Sequence, residues 1–363
     1  MNTFGKTIGL TIFGESHGFS IGAVLDGLPS GEAIDWDAVR TEMARRAPGK
    51  NKMSTARSEK DAFEIQSGFF NGHTTGTPLC AIIRNSDQHS RDYDQLRHIM
   101  RPGHADYSGK IRYGGFNDYR GGGHFSGRLT APLVFAGAVA SQILARHGIT
   151  VGSHILRLAG IADKPFDAAG ETASTLQALK KETLPVLDKA QAGPMEEKIL
   201  EAKNDLDSVG GVIECMVTGL PAGIGDPFFD SVESQLSHMM FSVPAVKGIE
   251  FGDGFALADL RGSQANDAFY YDGDAVKTRT NHNGGINGGI TNGMPVVFRL
   301  AVKPTASISQ KQETIDTDTK ENCDLVIKGR HDPCIVQRAI PVVEAAAAWA
   351  ILDVCLSEKG RCW

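Results

Sequence analysis

Tight glycine turns next to charged side chains are the feature of this sequence that most constrains its fold. The chain has 42 glycines among 363 residues, well above the roughly 7% of average proteins. Many fall as doublets or triplets between apolar runs, where glycine lets the backbone turn sharply and approach a ligand. Five clusters concentrate glycine, histidine, arginine or lysine: 13–18, 101–106, 118–123, 303–307 and 329–334. We expect an active site assembled from these distant loops.

The positions of the clusters bear on domain organisation. They lie towards both ends of the chain, so a shared site requires both ends to meet, which favours one domain over 1–363. Residues 162–206 are rich in lysine, glutamate and alanine and contain none of the clusters. We interpret 162–206 as a peripheral helical excursion within that domain.

Apolar periodicity predicts a mixed α/β chain in which helices and strands alternate irregularly. Asp35 is a typical N-cap for a helix that Pro48 and Gly49 end. The predicted strands are 8–13, 20–26, 79–84, 209–218 and 295–302, and the predicted helices are 35–47, 130–147 and 341–356.

The charge distribution indicates the kind of ligand. The net charge of −6 argues against a nucleic-acid partner. Residues 40–60 nevertheless hold seven basic and two acidic residues, and residues 97–128 hold six and two. Such basic stretches suit small phosphates and carboxylates. A solvated surface is the more common explanation of an isolated run, but here the arginines lie beside glycine and histidine turns, which favours a site.

Several classes of protein are not indicated. The six cysteines show no CxxC and no metal spacing, which is typical of reduced thiols. There is no signal-peptide pattern and no run of roughly 20 apolar residues, so we expect a soluble cytoplasmic protein. The patterns GxGxxG and GxxxxGK[ST] are absent. The glycine-rich stretch 283–293 is compatible with a flat cofactor or phosphate on bare backbone, or with two tight turns.

Two histidines and one aspartate are the candidate acid–base groups. His17 and His104 lie in glycine-flanked loops beside arginines, an arrangement that favours proton transfer over the more common structural role of a lone histidine. Ser16 adjoins His17, and no GxSxG turn supports a hydrolase. Asp332 is either a catalytic group or the cap of a helix that starts near Pro333.

Taken in order, the motifs resemble those of the chorismate synthase family over essentially the whole length, most loosely in 162–206. The matching segments are 14–18 followed by 26–29, 85–88, 101–106, 118–123, 284–293, 303–307, and 329–334 with 341–344. Each segment is moderately specific alone, and their shared order carries the resemblance.

The resemblance implies a fold and a reaction. The fold is a β-α-β sandwich, with helices enclosed between sheets, in a single large domain that assembles as a homotetramer. The reaction is a trans-1,4 elimination by a lyase of the shikimate pathway of aromatic amino acid biosynthesis. Phosphate and a C6 hydrogen leave 5-enolpyruvylshikimate 3-phosphate to give chorismate. Reduced FMN is required, although the reaction is redox-neutral overall.

The resemblance also assigns roles to residues. His17 lies by the flavin ring, His104 gives a proton to the departing phosphate, and Asp332 assists loss of the C6 proton near flavin N5. The substrate-binding residues are Arg46, Arg101, Ser126, Arg128 and Arg330. The cofactor-binding residues are Arg46, Lys52, His124, Phe125, Ser126, Ala245, Gly288, Lys303, Pro304, Thr305, Ala306, Ser307 and Arg330. Among these, Arg46 and Lys52 match positions linked to nicotinamide-nucleotide binding, and 124–130 departs from the usual family sequence while keeping Ser126 and Arg128.

The chain has no segment left for a reductase domain, so we expect NADPH to act only indirectly, through a separate flavin reductase. Two alternatives remain at this stage. One is a non-catalytic flavin- or phosphate-binding regulatory protein, which would be expected to lack one of the three acid–base residues. The other is a phosphatase, for which the sequence offers no metal constellation.

Overall fold

A computed structural model describes residues 1–49, 52–54, 61–86, 96–327 and 331–358 of the chain. Its strands are β1 Thr3–Phe4, β2 Gly9–Gly14, β3 Ser20–Asp26, β4 Phe63–Ser67, β5 Phe69–Phe70, β6 His73–Thr74, β7 Leu79–Arg84, β8 Thr150–Leu158, β9 Ile161–Ala162, β10 Gly211–Thr218, β11 Val246–Phe251, β12 Phe269–Asp272, β13 Ala275–Thr278, β14 Ile286–Asn287, β15 Ile290–Thr291, β16 Val296–Val302, β17 Lys311–Asp316 and β18 Glu321–Val326. Its α-helices are α1 Trp36–Arg46, α2 Asp106–Arg112, α3 Thr130–Arg146, α4 Ala173–Leu179, α5 Ala192–Asn204, α6 Val232–Ser242, α7 Gly262–Ala265 and α8 Val336–Ser357.

Two five-stranded antiparallel sheets enclose the main helices. The first has the order β1-β2-β3-β7-β4 and the second the order β11-β16-β10-β8-β9. Helix α3 packs on the first sheet, α8 packs on the second, and α3 and α8 pack on each other. The expected sandwich, with helices between sheets, is confirmed.

The first sheet shows why its apolar face is buried. In β3, Ile21, Ala23 and Leu25 are fully buried, and each lies opposite a buried residue of β7. Side chains two residues apart share one face of a strand, so these pairs cover the side of the sheet that faces α3. Burying large aliphatic side chains is worth about 1.5–3 kcal/mol each.

Helices α3 and α8 form the centre of the core. Gly137 of α3 lies so close to Ala345 of α8 that a Cβ at 137 would be 2.2 Å from the Ala345 Cα. Within the described residues, two helical stretches are long and apolar enough to cross a membrane, Gly127–Arg146 and α8. They are 83% and 94% buried inside the structure, which is typical of core helices.

The start of α1 agrees with the sequence-based prediction, whereas the start of α8 does not. Asp35 caps α1 as predicted, and its carboxylate accepts from the amides of Asp37 and Ala38. Helix α8 begins at Val336 instead of residue 341, so Pro341 lies inside it. Proline there removes a single helical hydrogen bond, and the burial of the first turn of α8 against the core offsets that loss.

The two ends of the chain meet at Asp353 in α8. Its buried carboxylate accepts hydrogen bonds from the amides of Lys6, Thr7 and Ile8 at 2.8–3.2 Å. The segment that leads into β2 is therefore fixed to the last helix.

The segment 162–206 contains two helices, α4 and α5, joined by turns, bends and the short 3₁₀-helix Lys189–Gln191. Leu176 and Leu179 of α4 pack with Met216 and Val297 on the second sheet. Helix α4 therefore covers the face of the second sheet that points away from α8.

Candidate active site

An open cleft of about 690 Å³ gathers most of the residues assigned from the sequence. The assigned residues that line it are Arg46, His104, His124, Phe125, Ser126, Arg128, Ala245, Lys303, Pro304, Thr305, Ala306 and Asp332. They come from α1, the segments between β7 and α3, the loop between α6 and β11, the segment after β16 and the segment before α8. The cleft thus joins parts of the chain nearly 290 residues apart.

The glycine triplet 121–123 brings His17 and His104 together. All three glycines have positive φ, at 59°, 83° and 55°, a region that other residues rarely adopt. A Cβ at Gly121 would lie 2.1 Å from the His17 ring, and one at Gly122 would lie 3.3 Å from the His104 ring. The bare backbone therefore makes room for both imidazoles, and His17 lies behind the cleft wall instead of lining it.

The first glycine turn, 14–18, is fastened to this triplet. The amide of Ser16 donates to Gly123 O at 3.1 Å, and Nδ1 of His124 donates to Gly14 O at 2.8 Å. The Asn85 amide donates to the carbonyls of Glu15 and Gly18 at 3.0 and 2.8 Å. His124 therefore has one ring nitrogen committed to the backbone of this turn.

His104 is held by a buried carboxylate. Its Nδ1 lies 2.6 Å from Oδ1 of Asp106 and 3.0 Å from the Arg101 guanidinium. Burial raises the pKa of Asp106, but hydrogen bonds from Arg101 and His104 outweigh burial and leave that pKa well below its usual range. Asp106 is therefore ionised at neutral pH, and we assign the Nδ1 proton to its hydrogen bond, which leaves Nε2 of His104 for a ligand.

Arg101 links two of the sequence clusters from behind the cleft wall. It grips Asp106 through Nε and one terminal nitrogen, each at 2.7 Å, and donates to Ser307 Oγ at 3.1 Å. On the cleft side, the Lys303 ammonium donates to Gly103 O. Segments 101–106 and 303–307 therefore form one wall.

Asp61 holds together two arginines of the cleft that the sequence predicts to bind substrate. Its carboxylate, which is fully buried, accepts from both Arg46 and Arg128. Burial alone would raise the pKa of Asp61. The charges and hydrogen bonds of the two guanidinium groups outweigh burial, so this pKa lies below its usual range. A buried Arg–Asp–Arg group fixes the direction in which each guanidinium points.

Asp332 forms an ion pair with Arg338, one turn into α8. Arg338 Nε also donates to Arg46 O at 3.1 Å, and burial lowers the pKa of the Arg338 guanidinium. The N-cap residue of α8 is Ile335, which makes no side-chain capping bond. The cap interpretation, with a helix starting near Pro333, is therefore wrong, and the Asp332 carboxylate faces the cleft.

Two assigned residues lie away from the cleft, and one falls outside the described residues. Lys52 is mostly exposed and pairs with Glu196 of α5 at 2.9 Å. Gly288 follows β14 and lies at the end of α6 that is opposite the cleft. Because the eleven residues of α6 span about 16 Å at 1.5 Å per residue, Gly288 is about that far from the cleft. Arg330 is not among the described residues.

The sequence motifs did not point to Asp61, Asp106 or Arg338 as site residues. Asp106 had a usable signal, because it stands two residues after His104 in the cluster 101–106. Arg338 also had a signal, since it follows Asp332 by only six residues. Asp61 had none, because its partners Arg46 and Arg128 are brought near it only by the tertiary fold.

The charges of the cleft favour an anionic ligand. Among its described lining residues, Arg46, Arg128, Lys247, Lys303 and Arg338 are cationic and Asp332 is anionic. Within the described residues, no group of three histidine, cysteine, aspartate or glutamate side chains is arranged to hold a metal ion.

The family model described as chorismate synthase matches residues 8–356. This chain belongs to the chorismate synthase family. A chorismate synthase of Chitinophaga pinensis is 46% identical over 360 residues, which cover 99% of this chain and 98% of that protein. A chorismate synthase of Dehalococcoides mccartyi is 45% identical over 355 residues, which cover 98% and 96%.

A solved structure agrees with the sequence relatives. A crystal structure of chorismate synthase superposes with a TM-score of 0.75 at 27% identity, covering 98% of this chain and 94% of that one. The mixed α/β sandwich is therefore the fold of the family. The family model, the relatives and the solved structure all point to chorismate synthase, a lyase, and none supports a regulatory protein.

Proposed function

We propose that this chain catalyses the trans-1,4 elimination of phosphate and a C6 hydrogen from 5-enolpyruvylshikimate 3-phosphate, with reduced FMN, to give chorismate. The observation that carries the proposal is that one cationic cleft contains both His104 and Asp332. An elimination needs an acid for the leaving group and a base for the proton, and the family assigns these roles to the same two positions.

The substrate carries a phosphate and two carboxylates, so it needs several fixed cations. Arg46 and Arg128 face the cleft with their directions set by Asp61, and Lys303 and Lys247 add point charges. Arg101 supports this group from behind through Ser307. Ser126 and Arg330 complete the proposed substrate contacts.

The cleft suits a flavin in volume and in polar groups. Thr305 Oγ1 is buried and, within the described part of the chain, has no hydrogen-bond partner, so it can donate to or accept from a bound group. His124, Phe125, Ser126, Ala245 and 303–307 would hold the flavin and its phosphate. When bound, reduced FMN supplies an electron-rich ring that promotes departure of the phosphate.

The proton transfers follow from the contacts of each acid–base group. Asp106 fixes His104 through Nδ1, so Nε2 can protonate the departing phosphate. Arg338 holds Asp332 at the cleft, where its carboxylate can take the C6 proton. His17, seated against Gly121, acts on the flavin side of the site.

The proposal extends to assembly and supply of reductant. We propose a cytoplasmic homotetramer that receives reduced FMN from a separate reductase. Because Gly288 is about a helix length from the cleft of its own chain, its proposed flavin contact belongs to the cleft of a second copy. Lys52 and Arg46 are the proposed nicotinamide contacts, and the Lys52–Glu196 pair argues against a strong one.

One anaerobic assay separates the candidate activities. The enzyme is mixed with reduced FMN and the substrate, and chorismate absorbance and free phosphate are followed together. Equal release of chorismate and phosphate is the expected result. Phosphate without chorismate would indicate a phosphatase, and flavin binding without either product would indicate a regulatory protein.

A further inference from the structure

A second cavity of about 200 Å³ lies directly behind the cleft. Three segments and Ser54 build it, the segments being the end of α1, residues 180–185 and the first turns of α8. Nothing in the proposed reaction uses this cavity.

A single segment of backbone separates the cavity from the cleft. Along the end of α1, Arg46 and Pro48 line the cleft, whereas Arg45 and Ala47 line the second cavity. Arg338 lines both. The guanidinium that holds Asp332 on one side is therefore exposed to any occupant of the other side.

Gln337 supplies the evidence that a ligand belongs there. It lines the cavity with 8% of its surface exposed, and neither its Nε2 nor its Oε1 has a hydrogen-bond partner among the described residues. A buried carboxamide without partners is costly. The Nε2 and Oε1 atoms of Gln337 can both form hydrogen bonds only with a group that accepts one hydrogen bond and donates another.

The unbalanced charge of the cavity wall is that of Lys181. The cavity is lined by the cations Arg45, Lys180, Lys181 and Arg338 and by one carboxylate, Glu182. Ion pairs balance most of these groups: Glu42 and Glu344 pair with Arg45 and Lys180, Asp332 pairs with Arg338, and Lys189 pairs with Glu182. Among the described residues no carboxylate pairs with Lys181, so its ammonium favours an anion. Lys181 is exposed at the rim, where it can meet an incoming ion.

We propose that this cavity is a second binding site for inorganic phosphate, which enters at the rim beside Lys181. Phosphate fits Gln337 because both of its ionic forms near neutral pH keep a P–OH group beside acceptor oxygens. The assignment of phosphate as a product rests on the proposed function, which releases it on the other side of Arg338. The site would hold phosphate after it leaves the substrate.

The test is protection of Lys181 from an amine-labelling reagent, read by mass spectrometry in the full-length enzyme without substrate. Phosphate at twice its dissociation constant should slow Lys181 labelling about threefold, because the free fraction falls as 1/(1 + [L]/Kd). Sulfate at equal ionic strength should protect less, since it has no proton to donate to Gln337. Labelling of Lys198, an exposed lysine of α5, should not change.

The matched variant is Gln337→Met, which keeps the side-chain length and removes both polar atoms. It should lose most of the protection at Lys181, whereas phosphate bound only in the cleft would protect both enzymes equally. Unchanged Lys181 labelling in the wild type, or equal protection by sulfate, would overturn the phosphate site without reference to any variant. Normal chorismate formation with no protection would refute this site alone, and protection without synthase activity would refute the proposed function alone.

Discussion

Nδ1 of His104 lies 2.6 Å from the carboxylate of Asp106, so the proposed acid of the cleft is oriented by a residue that itself lies outside the cleft lining. Asp106 binds Nδ1 and thereby directs Nε2 away from itself. The same carboxylate binds Arg101, which reaches Ser307. Loss of Asp106 should therefore affect the chemistry more than the binding of ligands.

Replacing His104 by alanine should lower turnover by roughly 100-fold or more while the fold is kept, because general acids contribute about 10²–10⁴-fold. Asp106→Asn should have a smaller effect, about tenfold on kcat, with little change in KM, because the imidazole loses the carboxylate that orients it. Steady-state kinetics of both variants measure these effects. Asp316→Asn, which alters the His98–Asp316 pair outside the cleft lining, should leave kcat unchanged, and a wild-type kcat for Asp106→Asn would contradict the positioning role.

Asp332→Asn should bind the flavin and the substrate but turn over slowly, because the amide cannot take a proton. Its ion pair with Arg338 is also lost, so some weakening of substrate binding is expected. Binding titrations combined with single-turnover kinetics separate the two effects. Turnover at the wild-type rate would show that another group removes the C6 proton.

Gly121→Ala should lower the free energy of unfolding by more than the positive φ at residue 121 alone explains. Alanine in a left-handed conformation costs about 1–2 kcal/mol, and here its Cβ would also collide with the His17 ring. Gly31→Ala is the matched control, since Gly31 has φ of 85° and open space around its Cβ position. Urea unfolding should show a larger loss for Gly121→Ala, and only this variant should lose flavin-dependent activity. Equal losses would mean that the His17 contact is not required.

The buried His154 predicts a pH dependence of stability. Burial lowers the pKa of His154, but hydrogen bonds and charges from Asp163 and Glu214 outweigh burial and raise it above the ordinary value. Arg299, which donates to Glu214 at 2.9 Å, is the other charged group of this cluster. The cluster joins the 162–206 segment to β8 and β10 through Asp163 and Glu214.

A raised folded-state pKa stabilises the protein below the unfolded value of about 6.5, and this stabilisation is lost as pH rises through the folded value. The free energy of unfolding should therefore fall as pH rises above about 6.5. His154→Gln should remove this part of the slope, which urea titrations at a series of pH values can measure. The same slope in the variant would assign it to other groups.

The chain should not reduce its own flavin efficiently. Lys52, one of the two proposed nicotinamide contacts, is paired with Glu196 outside the cleft, and Arg46 is committed to Asp61. An anaerobic assay with FMN, substrate and NADPH, without dithionite or added reductase, should form no chorismate beyond background. Sustained formation would show a bifunctional enzyme.

The sequence revealed local features of the fold better than the pairing of charges. Asp35 and the strands on either side of the first glycine turn were predictable because caps and period-2 patterns involve near neighbours. The start of α8 was misplaced, since the rule for proline ignores how strongly tertiary burial supports residues 336–340. Asp61 was missed because its partners, Arg46 and Arg128, lie 15 and 67 residues away.

The contact between Asp353 and the first residues of the chain has a consequence for biosynthesis. A nascent polypeptide contains β2 and β3 long before it contains the Asp353 carboxylate, so residues 6–8, which lead into β2, stay unfixed until α8 has been made. Contacts over such sequence separations form slowly and leave aggregation-prone surfaces exposed. Expression at low temperature or with chaperones should therefore raise the yield of soluble protein more for chains shortened before Asp353 than for the complete chain.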